Sequence, residues 1–370
     1  MKKNAILVIL TVAIAALVVI GCGNNGNNAN QANNANNANN ANASANGGNS
    51  ANAGGADNAD TSGGANGAND EAEPPKELRK VTVQLGWFAE PEYGGDYAAL
   101  VKGYFKEEGL DVTINSGGPK VNGRQIVASG KADFGFAKAD TVLQNREEGL
   151  PIVAVAGVLQ SSPQALIFHK GETIKTFEDL NNRTVFFVPG VPAYEYVKKK
   201  YNLKLKEQVT DGTLVRFLND KTSLLHGFAT SEPITLKEQG VEAESLLFSE
   251  SGYNPYEITI ITSESYLKDN PEVVKAYLRA VKKGWAYYFD HAEEINNRIH
   301  EDNKELPVAA MNEQAVAYKP YVTGGDAATE GFGVMKAERW EENKKQLLEA
   351  GLLKNDIDVS EAFTTDYLPE

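Results

Sequence analysis

Between Val81 and Thr262, short runs with apolar residues at every second position alternate with runs whose apolar residues recur every three or four. That alternation admits few architectures, because a strand and a helix that follow one another bury their apolar faces together and repetition builds a sheet flanked by helices. VTVQLGW (81–87) reads as a first strand through Val81, Val83 and Leu85. Tyr97, Val101, Tyr104 and Phe105 mark one helical face, with Gly109 in the left-handed position that ends such a helix. DVTIN (111–115) and ADFGFA (132–137) read as strands around a short helix in RQIVASG (124–130). ADTVLQNREEGL (139–150) reads as helical and PIVAVAGVL (151–159) as a buried strand. ALIFHK (165–170) and TVFFVPG (184–190) open a second group, in which VPAYEYVKKKY (191–201) is expected to be helical and TLVRFLN (213–219) a strand. YEITIITS (256–263) returns the chain to the first group. The remainder is mostly helical, and the stripe Val274, Tyr277, Leu278, Val281, Trp285 and Tyr288 after Pro271 reads as core.

The start of the chain has a different character. Two lysines precede a run of roughly sixteen apolar residues, too short and wrongly flanked for a comfortable membrane span, which reads as an export signal (1–21). The run closes on Val19, Ile20, Gly21 and Cys22, and Cys22 is the only cysteine in 370 residues, so no internal disulfide is available. This ending resembles a bacterial lipoprotein signal. The resemblance implies that Cys22 becomes the first mature residue and carries lipid that tethers the chain outside the cytoplasm; a cleaved secretory signal with an incidental cysteine is the alternative. Residues 22–76 continue as an asparagine, alanine and glycine tract with little to bury, and are expected to be a disordered linker. Fifty such residues have a reach on the order of 40 Å, a leash for the body that follows.

From residue 77 to 370 the composition is that of a globular body, long enough for two lobes. Fifty acidic residues against 36 basic ones disfavour a nucleic-acid partner, because phosphate binding needs a basic footprint. An anionic lipid surface would repel the body as well. Membrane contact is therefore expected through Cys22 alone.

WFAEPEYGGDYAALVKGYFKEEGLDVTINSGGP (87–119) followed by VASGKADFGFA (127–137) resembles the solute-binding proteins of bacterial ABC importers. Specifically, it is similar to the group that looks like thiamine-pyrimidine synthases and includes binders of pyrimidines, riboflavin, sulfonates and nitrate. The match is strongest over 81–140, and GYFKEEGLDV marks the scaffold while saying little about the ligand. The resemblance implies an α/β, two-lobed periplasmic-binding-protein fold (type II), each lobe a mostly parallel sheet flanked by helices. It implies a first lobe of about 77–163 plus 258–370, a second lobe of about 164–257, and hinge crossings near 160–165 and 254–258. The implied role is a membrane-tethered, extracytoplasmic binder that acts as a monomer, closes on a small molecule and delivers it to an ABC permease and its ATPase.

If the strands are parallel, ligands approach their carboxyl ends, where three loops gather: 87–95, 116–123 and 134–140. Trp87 offers a flat platform for a heterocycle, or else plugs the sheet end. Glu90 and Glu92 flank the stiff Pro91 and are suited to accept hydrogen bonds from amino or ring NH groups; solvated surface acids are the alternative. Tyr93 and Gly95 precede a helix, where a small residue admits a ligand to backbone NH groups. Gly117 and Gly118 allow the same approach or form a plain turn, and Phe136 is one of two rings that flank Gly135 in a strand. Asp140 reads as a helix cap. Second-lobe candidates are Gln164, Tyr194, Glu232 in a SEP turn that aligns with the family's acidic-proline element, and Tyr256.

The best-matching loop offers acids and aromatics but no arginine, which points to a neutral or cationic heteroaromatic such as a pyrimidine vitamin precursor or a flavin. Lys120, Arg124 and Lys138 near the other loops keep a sulfonate or nitrate open. An enzyme of the synthase type is disfavoured: those proteins carry a cysteine-rich iron-associated motif, whereas the sole cysteine here lies at the export site. His169, His226, His291 and His300 show no metal-ligand spacing, so neither metal nor cofactor is expected. A ligand sensor for a signalling receptor would share every one of these features.

Overall fold

The computed structural model describes residues 77–370, so the export signal, Cys22 and the linker lie outside the described residues. Ten strands appear in order: β1 (Arg79–Gln84), β2 (Leu110–Asn115), β3 (Phe134–Ala137), β4 (Ile152–Gly157), β5 (Gln164–His169), β6 (Thr184–Phe187), β7 (Lys206–Val209), β8 (Leu224–Phe228), β9 (Ala243–Leu247) and β10 (Thr259–Ser263). They form two five-stranded sheets, ordered β2-β1-β3-β10-β4 and β7-β6-β8-β5-β9. Helices of the first half are α1 (Gly94–Val101), α2 (Tyr104–Glu107), α3 (Gly123–Ala128), α4 (Ala139–Glu147), α5 (Pro192–Lys200), α6 (Val215–Asn219) and α7 (Glu232–Glu238). After the sheets close come α8 (Glu264–Asp269), α9 (Pro271–Tyr288), α10 (Ala292–Asp302), α11 (Val308–Thr323), α12 (Ala327–Glu330) and α13 (Ala337–Glu349).

In each sheet four strands share a direction and one opposes them: β10 in the first, β5 in the second. These are the two strands the chain enters directly from the other sheet, through 158–163 and 248–258. A crossing that leaves the carboxyl end of β4 arrives at the carboxyl end of β8, where Gln164 pairs with Phe228, so the strand it feeds must run back the other way. The same geometry places the carboxyl ends of β1 to β3 and both crossings on one side of each sheet, facing the space between the lobes.

Packing explains two departures from the periodicity. The helix expected through Phe105 breaks at Gly103, whose φ of 77° lies in the left-handed region; Val101 turns outward while Tyr97 and Phe105 stay buried. TLVRFLN forms α6 rather than a strand, because Leu214, Phe217 and Leu218 at i, i+3 and i+4 pack on Ile167, Leu225 and Leu236. The stripe on α9 is core throughout, with Tyr277 stacked on Phe134 at 4.0 Å and on Phe105 at 5.4 Å. A second cluster runs without a break from Ile152 and Ile261 of the first sheet to Leu166, Val185 and Leu224 of the second, with Trp340 of α13 inside it. On that side the lobes share one hydrophobic core.

Candidate functional site

At the carboxyl ends of β1 and β2 the loops are zipped backbone to backbone. The Gly117 amide donates to the Trp87 carbonyl (2.8 Å) and the Leu85 amide to that of Asn115 (2.9 Å). A Cβ on Gly117 would stand 2.6 Å from the Trp87 oxygen, closer than contact allows, so this approach requires glycine. Beneath the loops, the buried Tyr93 hydroxyl accepts from the Trp87 amide (3.0 Å), and its ring tilts against Phe136 at 4.8 Å. Trp87 itself is half-buried, edge-to-face with Phe88 at 5.3 Å. Phe88 is exposed and lies between Gly118 of the first lobe and Gly212 of the second.

Acids from both lobes meet beside these rings. Pro91 starts a single 3-10 turn, Pro91–Tyr93, that carries Glu92 and follows Glu90. From the second lobe Glu232 enters at the first position of α7 and accepts the Phe228 amide (2.6 Å). A Cβ on Gly227 would run into that carboxyl group, so Gly227 is the gap Glu232 fills. Glu257, on the second crossing and fully buried, accepts Ser162 Oγ (2.6 Å) and Gln164 Nε2 (2.9 Å) on one oxygen and the Lys138 ammonium (2.5 Å) on the other. Because the Gln164 amide nitrogen is committed to Glu257, its Oε1 accepts from His226 Nε2 at 3.0 Å. Burial and the nearby Lys138 charge push His226 down to about 3, so that ring is neutral. The Tyr318 hydroxyl of α11 and the Thr230 hydroxyl are buried in the same region with no hydrogen-bond partner.

Residues 90–295 match a family described as NMT1/THI5 like. The chain belongs to that family. Riboflavin-binding protein RibY of Chloroflexus aurantiacus is 24% identical over 309 residues, covering 79% of this chain and 87% of its own. The formylaminopyrimidine-binding protein of Halalkalibacterium halodurans is 25% identical over 301 residues, 78% and 90% of the two chains. A 4-amino-5-hydroxymethyl-2-methylpyrimidine phosphate synthase of Saccharomyces cerevisiae, THI11, is 26% identical over 253 residues, 60% and 73%. The periplasmic aliphatic sulphonate binding protein SsuA of Escherichia coli superposes with a TM-score of 0.63 at 12% identity, over 79% of this chain and 94% of that one. The fold is thus the α/β periplasmic-binding-protein fold, with two mixed sheets flanked by helices.

In this NMT1/THI5-like chain the residues expected to meet a ligand divide into two sets. Glu90, Glu92 and Glu232 come together near the half-buried Trp87, and the fully buried Gln164 is bonded to Glu257. Tyr93, Gly117, Gly118 and Phe136 shape the loops from beneath. Gly95 has another reason to be glycine: a Cβ there would enter the Trp285 ring, and one on Gly94 the Tyr288 ring, so the pair lets α1 lie against α9. Tyr194 gives its hydroxyl proton to Glu207 (2.8 Å) and stacks on Phe187 at 5.1 Å, which makes it a strut of α5. Tyr256 donates to Asp326 (2.8 Å), accepts the Lys336 amide (2.8 Å) and lies under the Arg339 guanidinium at 3.9 Å, anchoring the second crossing. Asp140 is no cap; its carboxylate accepts from Tyr253 (2.9 Å) and Thr141 (3.1 Å) inside the core. Lys138, expected near the site as an anion partner, is instead spent on Glu257. Phe228, Thr230, Glu257 and Tyr318 were not singled out in the sequence, where each reads as strand, turn or helix core.

Electrostatics set the ordinary state of these acids. Glu90 and Glu232 are part-buried as whole residues while their carboxyl groups are enclosed. Burial pushes Glu92 and Glu232 each up to about 7, and Asp96 on α1 to about 7 as well. Glu90, enclosed beside Glu92 and Glu232, is held well above the carboxylate range. A carboxyl raised in the folded state contributes stability that is lost as pH rises through its folded value. The neutral His226 acts oppositely, losing stability as pH falls below about 6.5, so above that point the carboxyls govern. The ligand-free protein is therefore expected to melt at falling temperatures as pH is raised from about 6 to about 8. A flat or rising melting profile over that range would refute the protonated cluster.

Proposed function

We propose that this protein is the extracytoplasmic binding component of an ABC importer, capturing a small heteroaromatic molecule between its two lobes and handing it to a membrane permease. Lipid on Cys22 and the asparagine-rich linker would keep it at the membrane surface. One observation carries the reading: aromatic rings and hydrogen-bonding carboxyls from both lobes converge beside Trp87, and the one ammonium among them is already bonded to Glu257. Such a wall suits a flat ring with NH donors and offers little to an oxyanion. Relatives named for binding riboflavin and formylaminopyrimidine support the same class. The role is binding rather than catalysis, on a scaffold shared with a pyrimidine phosphate synthase.

A melting-temperature screen of the purified protein against riboflavin, formylaminopyrimidine, ethanesulfonate and nitrate tests this. A ligand at about 100 times its Kd adds about 2.7 kcal/mol, a shift of several degrees. One of the heteroaromatics is expected to produce it, and Trp87→Ala is expected to weaken that binding about tenfold to a hundredfold with folding intact, as loss of one stacking platform should. A shift with the anions alone would reject the heteroaromatic class; affinity unchanged in Trp87→Ala would remove the indole from the site.

A further inference from the structure

One side chain near the end of the chain holds both crossings. Ser162, Gln164 and Glu257 bond to one another and to Lys138, whereas Gln160, Asn254 and Tyr256 meet α13. Arg339, in the first turn of α13, donates from Nη2 to the carbonyls of Gln160 on the first crossing (2.7 Å) and Asn254 on the second (3.0 Å). From Nη1 it donates to Asp326 (3.1 Å), which also accepts the Tyr256 hydroxyl (2.8 Å). Its guanidinium lies over the Tyr256 ring at 3.9 Å. Only a planar fork can meet three acceptors and a ring face at once; an ammonium is a single point of charge. The crossings are bonded to each other as well, the Ser162 amide to Asn254 Oδ1 (2.8 Å) and the Val158 amide to the Ile258 carbonyl (2.7 Å).

A second observation concerns the rest of α13, which is bound to both lobes. Just past its end the Ala350 carbonyl accepts Lys199 of α5 (2.6 Å), in the second lobe, and the Leu352 carbonyl accepts Gln144 of α4 (3.1 Å), in the first. Glu147 of α4 accepts the Lys354 amide (2.7 Å) and the Asn355 amide (2.6 Å). Trp340, wholly buried one residue after Arg339, stacks on Phe363 at 4.9 Å inside the core the lobes share. The tail then bonds to the edge of β4: the Ala154 amide donates to the Ala362 carbonyl and the Thr364 amide to that of Ala154, each at 2.9 Å.

Hinge motion in a two-lobed fold is absorbed by a few residues whose backbone rotates. Here those residues are tied to a helix that grips both lobes. We infer that α13 is a spine limiting how far the lobes separate, and that Arg339 is the pin through which it acts on both crossings. Because the pin holds backbone carbonyls at 160 and 254, rotating either peptide breaks one of its bonds. With the pin in place the two faces stay together without a guest, and opening is a rare excursion. The use of this device rests on the proposed binding role, since the fraction of closed molecules scales the apparent affinity for whatever is bound. Its existence is a property of the ligand-free protein.

Amide hydrogen exchange of the purified, ligand-free full chain tests it, comparing Arg339→Met and Arg339→Lys with the parent. The lysine keeps a charge beside Asp326 and gives up the fork, so it serves should the methionine variant fold poorly. Segments 86–93 and 226–232 report on the two sides of the space between the lobes, through the Trp87 amide on Tyr93 and the Phe228 amide on Glu232. Helix α9, in the first-lobe core, is the control. Both variants are expected to speed exchange in the two segments about tenfold and leave α9 unchanged, as loss of a charge-assisted bond at the hinge should. An equal rise in α9 would mark a general loss of stability, and unchanged exchange in the two segments would confine Arg339 to its own neighbourhood. Either result overturns the pin and leaves the binding role standing. The melting screen, which reads the binding role alone, can fail without altering this one.

Discussion

Lys138→Met should lower stability by about 3–5 kcal/mol, on the order of 10 °C in melting temperature, a large loss for a residue with a quarter of its side chain in solvent. The reason lies with its partner. Glu257 is fully buried, and its second oxygen already accepts two hydrogen bonds, so removing the ammonium strands a charge that neither water nor another cation can reach. The double variant Lys138→Met with Glu257→Gln is expected to recover most of the loss, since a neutral amide oxygen can still accept from Ser162 and Gln164. Thermal unfolding of the three proteins measures it; a single variant as stable as the parent would show that the pair contributes nothing. Because Glu257 sits on the second crossing and Lys138 at the end of β3, the pair ties hinge to lobe. Weaker ligand binding should accompany the loss of stability.

The second large effect concerns a residue far from any ligand. Gly284→Ala is expected to cost about 3 kcal/mol, because its Cβ would fall on the Gly95 carbonyl, with the Ala99 amide nitrogen 3.0 Å away. Both obstacles are backbone, so no side chain can swing aside and α1 must lift from α9. Lys283→Ala on the exposed face of the same helix, where the lysine makes solvent-exposed contacts with Glu107 at 3.1 Å, Glu108 at 3.9 Å and the Tyr104 ring at 5.9 Å, is expected to fall within about 0.5 kcal/mol of the parent. Urea midpoints compare the two, and equal midpoints would sink the argument. Lifting α1 also tilts the Glu90–Tyr93 turn that leads into it, so the glycine contact supports the site from behind.

The glycine pair at 94–95 illustrates where local reading stops. In sequence it precedes a helix and lies beside Trp87, Glu90 and Glu92, so an opening for a ligand is the natural inference. Its actual neighbours, Trp285 and Tyr288, belong to a helix far along the chain, and only the packed structure brings them there. Tyr318 shows the converse: at its position in α11 it is indistinguishable from core, and its unpartnered hydroxyl becomes visible only once α7 and the Glu90–Tyr93 turn close around it. TLVRFLN failed for a third reason, since Leu214, Val215, Phe217 and Leu218 satisfy both a strand and a one-turn helix, and burial chose the helix.

Nearest-neighbour spacing is a property of the chain itself, so the sequence alone determined the order of strands and helices from β1 to α5, the aromatic and acidic character of the loop after β1, and the solute-binding scaffold that Gly103 to Val112 mark. Charge balance and burial depend on residues brought together from distant positions. The tertiary structure alone therefore decided that Lys138 belongs to Glu257, that Gly95 belongs to Trp285, and that Glu90, Glu92 and Glu232 come together in one enclosed space.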